Sequence, residues 1–381
     1  MNFGPSIMSG VPAVIIADPR CFAPSSANPY IGVAQQWINQ TSAAQRGEAC
    51  PELAECYRLA LEGSCDAEIA GSLRAATSPA VYRCLWASLI QALEGGERGN
   101  SAPVARLFAM PVLVVTGGRA NITVPGVLRD IARVRDVLEQ HGALGPVRNF
   151  GLSNTLCSLE AMERVSLGRV YAFGQGLMGP GFDRMGAATA DLVGLDLPPS
   201  DLDVTSADEQ VHLRFLAGAA VTAADAPSFL ETGADIGAWG MPLTRELAGQ
   251  LGREGLSILP IARPPHSWLN AQVVGWRARE ELSLQAFVSR VLRRFRGEIG
   301  EPKATIAALD GGTIALRFGS PFVEGRVYIH HWTPHWLDDV NEIALAMLSL
   351  LRECRVDNVD VLPTLVPEAV FAVSAAGSGA H

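Results

Sequence analysis

Apolar positions recur along this chain with two different rhythms. From Pro29 to Glu94 the rhythm is helical. Pro51-Glu52 opens a stretch in which Leu53, Cys56, Tyr57, Leu59 and Ala60 return every three or four residues. Ser78-Pro79 precedes a stripe of Val81, Leu85, Leu89 and Leu93. Serine there can accept a free amide of the first turn, and proline at the first helical position gives up a donor that has no partner anyway. Gly95-Gly96 ends the stripe, and residues 94–103 (EGGERGNSAP) read as a linker. Residues 1–28, rich in Pro, Ser, Gly and Ala, read as an extended lead-in with one short apolar strand, so the helical region is set at 29–100.

The texture changes at Ala105. Residues 105–115 (ARLFAMPVLVV) have the length and branching of a buried strand, with Pro111 marking a bulge or an edge. After a loop at TGGRANITVPG, the positions Val127, Leu128, Ile131, Val134, Val137 and Leu138 predict a helix that stops at Gly142. Strands are expected at 147–152 and 169–173, with a Gly-, Pro- and Asp-rich loop over 174–210. A strand at HLRFLAGAAVTA, a helix over 242–254 and a strand over 256–262 complete a first α+β module spanning 104–264. Arg106-Leu-Phe-Ala beside Arg214-Phe-Leu-Ala raises the expectation of an internal duplication.

Residues 265–368 carry the clearest pattern. NAQVVGWRA (270–278) alternates as a strand, and Leu284, Phe287, Val288, Val291, Leu292 and Phe295 then form a helical stripe. KATIAAL and TIALRFG flank Asp310-Gly311-Gly312, residues that accept the positive φ of a hairpin turn. RVYIHHW (326–332) is a further strand. Asp339 with Glu342 fits a capping box for a helix lined by Ile343, Met347, Leu350, Leu351 and Cys354, and NVDVL (358–362) closes the set. The order β-α-β-β-β-α-β predicts a ferredoxin-like split βαβ module with one extra strand. The expected class is therefore α+β: a helical N-terminal region, then ferredoxin-like α/β sandwich modules, with residues 369–381 a disordered tail.

Composition narrows the functions. Of 381 residues 48% are hydrophobic and 18% charged, enough to build large cores. The net charge of −9 repels phosphate backbones and anionic lipid. No apolar run approaches the ~20 residues that span a bilayer. Val11–Ala17 is short for a signal-peptide core and has no Lys or Arg before it. The seven cysteines, at 21, 50, 56, 65, 84, 157 and 354, include no C-x-x-C pair, so they read as small buried side chains in a reducing compartment, against the alternative of a disulfide pair or a metal site in the cluster from Cys50 to Cys84.

The densest chemistry lies at His330, His331, His335, Asp338 and Asp339, which could supply a divalent-cation site. His330 and His331 are neighbours on a strand and point to opposite faces, and Asp339 serves as a helix cap. The metal candidates reduce to His330, His335 and Asp338, against the plainer alternative of surface histidines beside Trp332 and Trp336. Arg290, Arg293, Arg294 and Arg296 lie largely opposite the apolar stripe of their helix. They could meet an acidic partner or RNA, or simply be a solvated face. Gly174-x-Gly176-x-x-Gly179 matches a dinucleotide fingerprint in form, but Pro180-Gly181 follow where a helix must start, so a surface loop is expected. Thr116-Gly117-Gly118-Arg119 could cradle an anion but lacks a P-loop ending. Cys157 with His212 or His266 could be imagined as a thiol site, against the default of a buried structural cysteine.

The stretch LLRECRVDNVDVLPTLVPE (350–368), with LFAMPVLVV and the helical N-terminus, resembles a group of uncharacterised proteobacterial proteins catalogued as a domain of unknown function. That resemblance implies no activity, cofactor or site residues. The sequence therefore leads to a non-catalytic cytoplasmic adaptor, assembly factor or complex subunit. Its partners would be other proteins or further copies of itself, without membrane, nucleic acid or cofactor. The alternative is a metal-dependent hydrolase centred on 330–339.

Overall fold

The computed structural model describes residues 28–41, 48–94, 104–118, 122–124, 126–143, 149–177, 197, 201–204, 210–222, 236–252, 256–261, 263–295, 297, 302–309, 312–319 and 327–362. The lead-in up to residue 27, most of the linker, most of the 174–210 loop and the tail lie outside them. Contacts divide the chain into two units, one formed by Ser25–Trp276 and one containing Arg277–His381.

The first unit begins with four helices, α1 (Pro29–Gln40), α2 (Pro51–Glu62), α3 (Asp66–Arg74) and α4 (Pro79–Glu94). Three open on proline, and the Ser78 hydroxyl accepts the Val81 amide at 3.2 Å as its position predicts. The buried face of α2 is Leu53, Ala54, Tyr57, Ala60 and Leu61, whereas Leu59 is exposed. Six residues past Leu53 is 240° round a helix, so Leu59 falls off the stripe in which the sequence pattern placed it.

Then follow β1 (Val104–Thr116), β2 (Ile122–Val124), α5 (Ile131–Gln140), β3 (Asn149–Cys157), α6 (Leu159–Glu163), α7 (Leu167–Leu177), β4 (Leu202–Val204), β5 (Gln210–Thr222), α8 (Ile236–Leu251), β6 (Leu256–Ile258), β7 (His266–Ser267) and α9 (Trp268–Arg294). The strands build a sheet of order β3-β5-β1-β6, with β7 also on β1, while β2 and β4 pair separately. β1 and β5 pair antiparallel along their whole length without a register shift, so Pro111 makes no bulge. The Leu259 amide donates to the Leu113 carbonyl on the opposite side of β1. Pro111 has the same parity as Leu113 and so turns its nitrogen to that side. There it falls between the residues paired to β6 and those paired to β7, where no ladder donor is required. The segments RLFA and RFLA lie on these two neighbouring strands of one sheet.

Both faces of β1 and β5 are covered over most of their length. Phe108, Met110, Val112, Val114, Leu216 and Ala220 pack with Trp239, Leu243 and Leu247 of α8 and Val134 and Leu138 of α5. On the other face Leu107 meets Gly174 of α7, and Phe215 meets Gly275 of α9 so closely that a Cβ there would lie 2.4 Å from the ring. Residues 169–173, expected as a strand, belong to α7. Its first amides are received by the Asp66 carboxylate at 3.0 and 3.1 Å, which nucleates a helix instead. α8 starts six residues before Pro242 because Trp239, wholly buried, anchors an earlier turn. The strand expected over 256–262 is confined to Leu256–Ile258.

Residues 270–278 overturn another expectation, since they are part of α9 and not a strand. None of residues 268–278 is exposed, and a helix covered on all sides carries no 3.6-residue polar rhythm, which leaves alternation to arise by chance. The expected β-α-β-β-β-α-β order thereby loses its first strand.

The second unit holds the rest of α9, β8 (Lys303–Leu309), β9 (Thr313–Gly319), β10 (Val327–Trp332), α10 (Val340–Glu353) and β11 (Val359–Leu362). The sheet order is β10-β9-β8-β11, antiparallel except for β11 beside β8. Its inner face, including Ile306, Ile314, Leu316, Phe318 and Trp332, packs against Leu284, Val288, Val291, Leu292 and Phe295 of α9 and Ile343, Met347 and Leu351 of α10. Gly312 takes φ +86° at the end of the β8–β9 turn, and Asp339 caps α10 by accepting the Asn341 amide at 2.8 Å.

Candidate functional site

β10 is an edge strand, and its alternation separates the two adjacent histidines. His330 faces inward, opposite Leu316 and with its ring 5.3 Å from that of Phe287. Burial, and then the neighbouring His331, lower its pKa, so the neutral imidazole is favoured. His331 faces outward and is exposed.

Beyond β10 the chain turns on Asp338, whose side chain is 1% exposed. Its Oδ2 accepts the His335 amide at 2.8 Å, and its Oδ1 accepts Nε and Nη2 of Arg277 at 3.0 and 2.5 Å. The Leu337 amide donates to Nδ1 of His335 at 3.2 Å. The structure thus brings His335 and Asp338 together in one turn, with both oxygens of the carboxylate engaged. His330 is placed elsewhere, on the inner sheet face. Among the described residues no group of three or more His, Cys, Asp or Glu side chains is placed to hold a metal ion. Chemically this arrangement is a tether: a buried carboxylate neutralised by an arginine of α9 fixes the approach to α10.

Arg290, Arg293 and Arg294 are exposed on the last turns of α9, and Arg294 lies over the Tyr328 ring at 5.8 Å. Arg296 lies outside the described residues. Leu292 and Arg293 form one wall of an open groove of about 910 Å³ whose lining also includes Pro302, Cys354, Arg355 and Val356. The sequence pattern singled out the arginines but not the groove, because its second wall lies some 60 residues away along the chain.

The remaining motifs resolve locally. Gly174 and Gly176 sit inside α7, not after a strand, and Gly179 lies outside the described residues. Gly118 takes φ +78°, and the next described element after it is β2, not a helix. Cys157 is fully buried with its Sγ 3.5 Å from the Phe215 carbonyl, and burial pushes its thiol up to about 12, so it stays protonated. His212 is engaged with Thr116 at 3.1 Å, and its pKa is lowered by burial and by Arg214.

One surface feature has no motif behind it. On one face of the first sheet Leu213, Leu113 and Leu259 stand in a row across three strands, with Val211, Val115 and Ser257 in the next. Elsewhere this face is covered, but here Val211 and Leu259 are each 37% exposed and Leu113, Val115 and Leu213 are half-buried. β5 alternates through the patch, with Gln210, His212 and Arg214 on the opposite face, whereas β1 continues the apolar run of its buried half.

No protein-family model matches the chain, and neither a curated protein nor a solved structure is significantly similar to it. Among the described residues no helix is long and apolar enough to cross a membrane.

Proposed function

We propose that the protein works by contact, as a non-catalytic cytoplasmic adaptor, assembly factor or subunit of a larger complex. The observation that carries this is the bare apolar end of the first sheet. Five aliphatic side chains contiguous across three strands are an unusual thing to leave partly open to water. Covering aliphatic surface is worth roughly 25 cal/mol per Å², and a flat sheet face offers it to another folded surface without rearrangement. The polar candidates support the same reading, since Asp338 is consumed by its tether and Cys157 is held protonated in the core. A net charge of −9 favours protein partners over polyanions.

A photo-crosslinking amino acid at Ser257, the exposed polar position within the patch, tests this in the native host. The expected result is one defined crosslinked product, absent when the same group replaces Arg133 on α5. Equal labelling from both positions, or none from Ser257, would count against the proposal.

A further inference from the structure

We propose that two copies of this chain associate by pairing their β10 strands antiparallel about a two-fold axis, which joins the sheets of two second units edge to edge. The proposal concerns the second unit and does not depend on the apolar patch of the first.

The direction of each backbone group on β10 follows from the ladder. The Ala304 amide donates to the Asn358 carbonyl, so the even positions of β8 face β11 and the odd ones face β9. Lys303, Thr305 and Ala307 are therefore hydrogen-bonded to Gly319, Arg317 and Ala315, and the even positions of β9 are left to bond β10. There Phe318, Leu316 and Ile314 pair with Tyr328, His330 and Trp332. Val327, Ile329 and His331 turn their amides and carbonyls the other way, to the side on which no described strand lies. The same three residues carry their side chains on the outer face, where Val327 is 41% and Ile329 43% exposed.

An open sheet edge recruits other strands, and folded proteins guard against it. The other edges of the two larger sheets carry such guards. β3 has a register shift between Leu152 and Leu156, and along it the Leu128 amide bonds the Asn154 carbonyl and the Leu156 amide bonds the Gly126 carbonyl. β6 and β7 run for three and two residues. β11 runs for four and carries Asp360, ion-paired with Lys303 at 2.7 Å. β10 has none of these devices: it holds six residues in unbroken register, without proline, glycine, lysine, arginine or an acid.

The strand is also complementary to itself. Antiparallel pairing centred on Ile329 sets Ile329 against its own copy and Val327 against His331, so each outward-turned residue meets another outward-turned one. A slip of one residue would set them against inward-turned positions, and a slip of two would leave one of the three unmatched. On the outer face the centred register brings Val327 and Ile329 of both copies into one aliphatic cluster and covers what each copy exposes. On the inner face Tyr328 stands opposite His330 of the copy, which burial keeps neutral. Arg317, beside Ile329 on β9, lies three strand spacings from its copy, roughly 14 Å, where salt screens most of the repulsion. A strand without formal charge is thus where two chains of net charge −9 approach with least repulsion, and a self-complementary contact closes as a dimer.

Sedimentation velocity of the purified full chain over roughly 0.1–100 μM tests this. The expected result is a concentration-dependent species of twice the 40.4 kDa chain mass. Ile329→Lys and Ile329→Glu each place like charges at the two-fold axis, so each alone should dimerise at least tenfold more weakly with an unchanged circular-dichroism spectrum. An equimolar mixture of the two should dimerise again, because position 329 then meets the opposite charge. Val211→Glu/Leu259→Glu should dimerise as wild type, which separates this interface from the patch. A monomeric wild type, dimers indifferent to either charge, or a mixture that stays monomeric would overturn the proposal. A monomeric wild type whose Ser257 crosslink persists would reject the strand pairing alone.

Discussion

The two sheets of this protein are built on different rules. In the first, β1 and β5 are covered on both faces over most of their length, and the sequence of β1 is nearly continuous in apolar residues. What decides the packing there is size: Gly218 stands opposite Phe108 in register, and a Cβ at that position would lie 2.3 Å from the ring. In the second sheet the large apolar residues share one face, the other face of β8 and β9 buries Ala307, Leu309 and Ala315, and edge strand β10 alternates between half-buried and exposed positions until it reaches buried Trp332. Along that edge strand the deciding quantity is which residues are apolar, not which are small. The contrast shows where function can be read. The patch at Leu113, Val115, Val211, Leu213 and Leu259 continues the apolar face of the buried ends of β1 and β5, so exposure and not composition marks it.

Substitutions can break that comparison. The largest effect is expected from Trp332→Ala, which empties the core of the second sheet and should cost about 4 kcal/mol in urea denaturation followed by circular dichroism. Gly218→Ala adds one methyl group to the first sheet and should cost about 3 kcal/mol by overpacking. Ile306→Val removes a methyl from the second sheet and should cost only about 1 kcal/mol. Equal losses for those two would erase the distinction between the sheets. Arg277→Ala strands the buried Asp338 carboxylate; because Arg277 is 38% exposed, about 2 kcal/mol is expected, less than for a fully buried pair.

A smaller effect is expected from pH. Burial lowers the folded-state pKa of His330 and His212 below the ordinary 6.5. The unfolded chain therefore binds more protons as pH falls below 6.5, and the stability that these two neutral imidazoles contribute, full above 6.5, declines toward their folded pKa values. The urea midpoint should drop between pH 7.5 and 5.5, and drop less in His330→Gln. An unchanged slope in that variant would remove His330 from the account. The smallest effect is expected from His331→Ala on the solvent face, within about 0.5 kcal/mol of wild type.

Local signals carried most of what the sequence reveals. Ser78 before Pro79, Asp339 before α10 and Gly312 after the turn act within a few residues of themselves, and each sits where its chemistry placed it. The failures involve partners distant in sequence. Residues 169–173 are helical because Asp66, about a hundred residues earlier, receives the first amides of α7. Residues 270–278 belong to a helix of which none of these residues is exposed, which erases the helical rhythm. The histidines and acids of 330–339 were visible as a cluster, but the partner that engages Asp338 is Arg277, and nothing near Asp338 announces it. The groove likewise needs two segments that meet only in the fold.

The most direct measurement of the central claim is the apparent mass of the 381-residue chain, expressed with a small epitope tag in its native host, in a gently prepared extract, determined by gel filtration with immunodetection. A contact-making subunit elutes well above its own 40.4 kDa, and shifts toward that mass when Val211 and Leu259 are both changed to glutamate. Elution of the wild-type chain at 40.4 kDa, unaffected by those substitutions, would contradict the account.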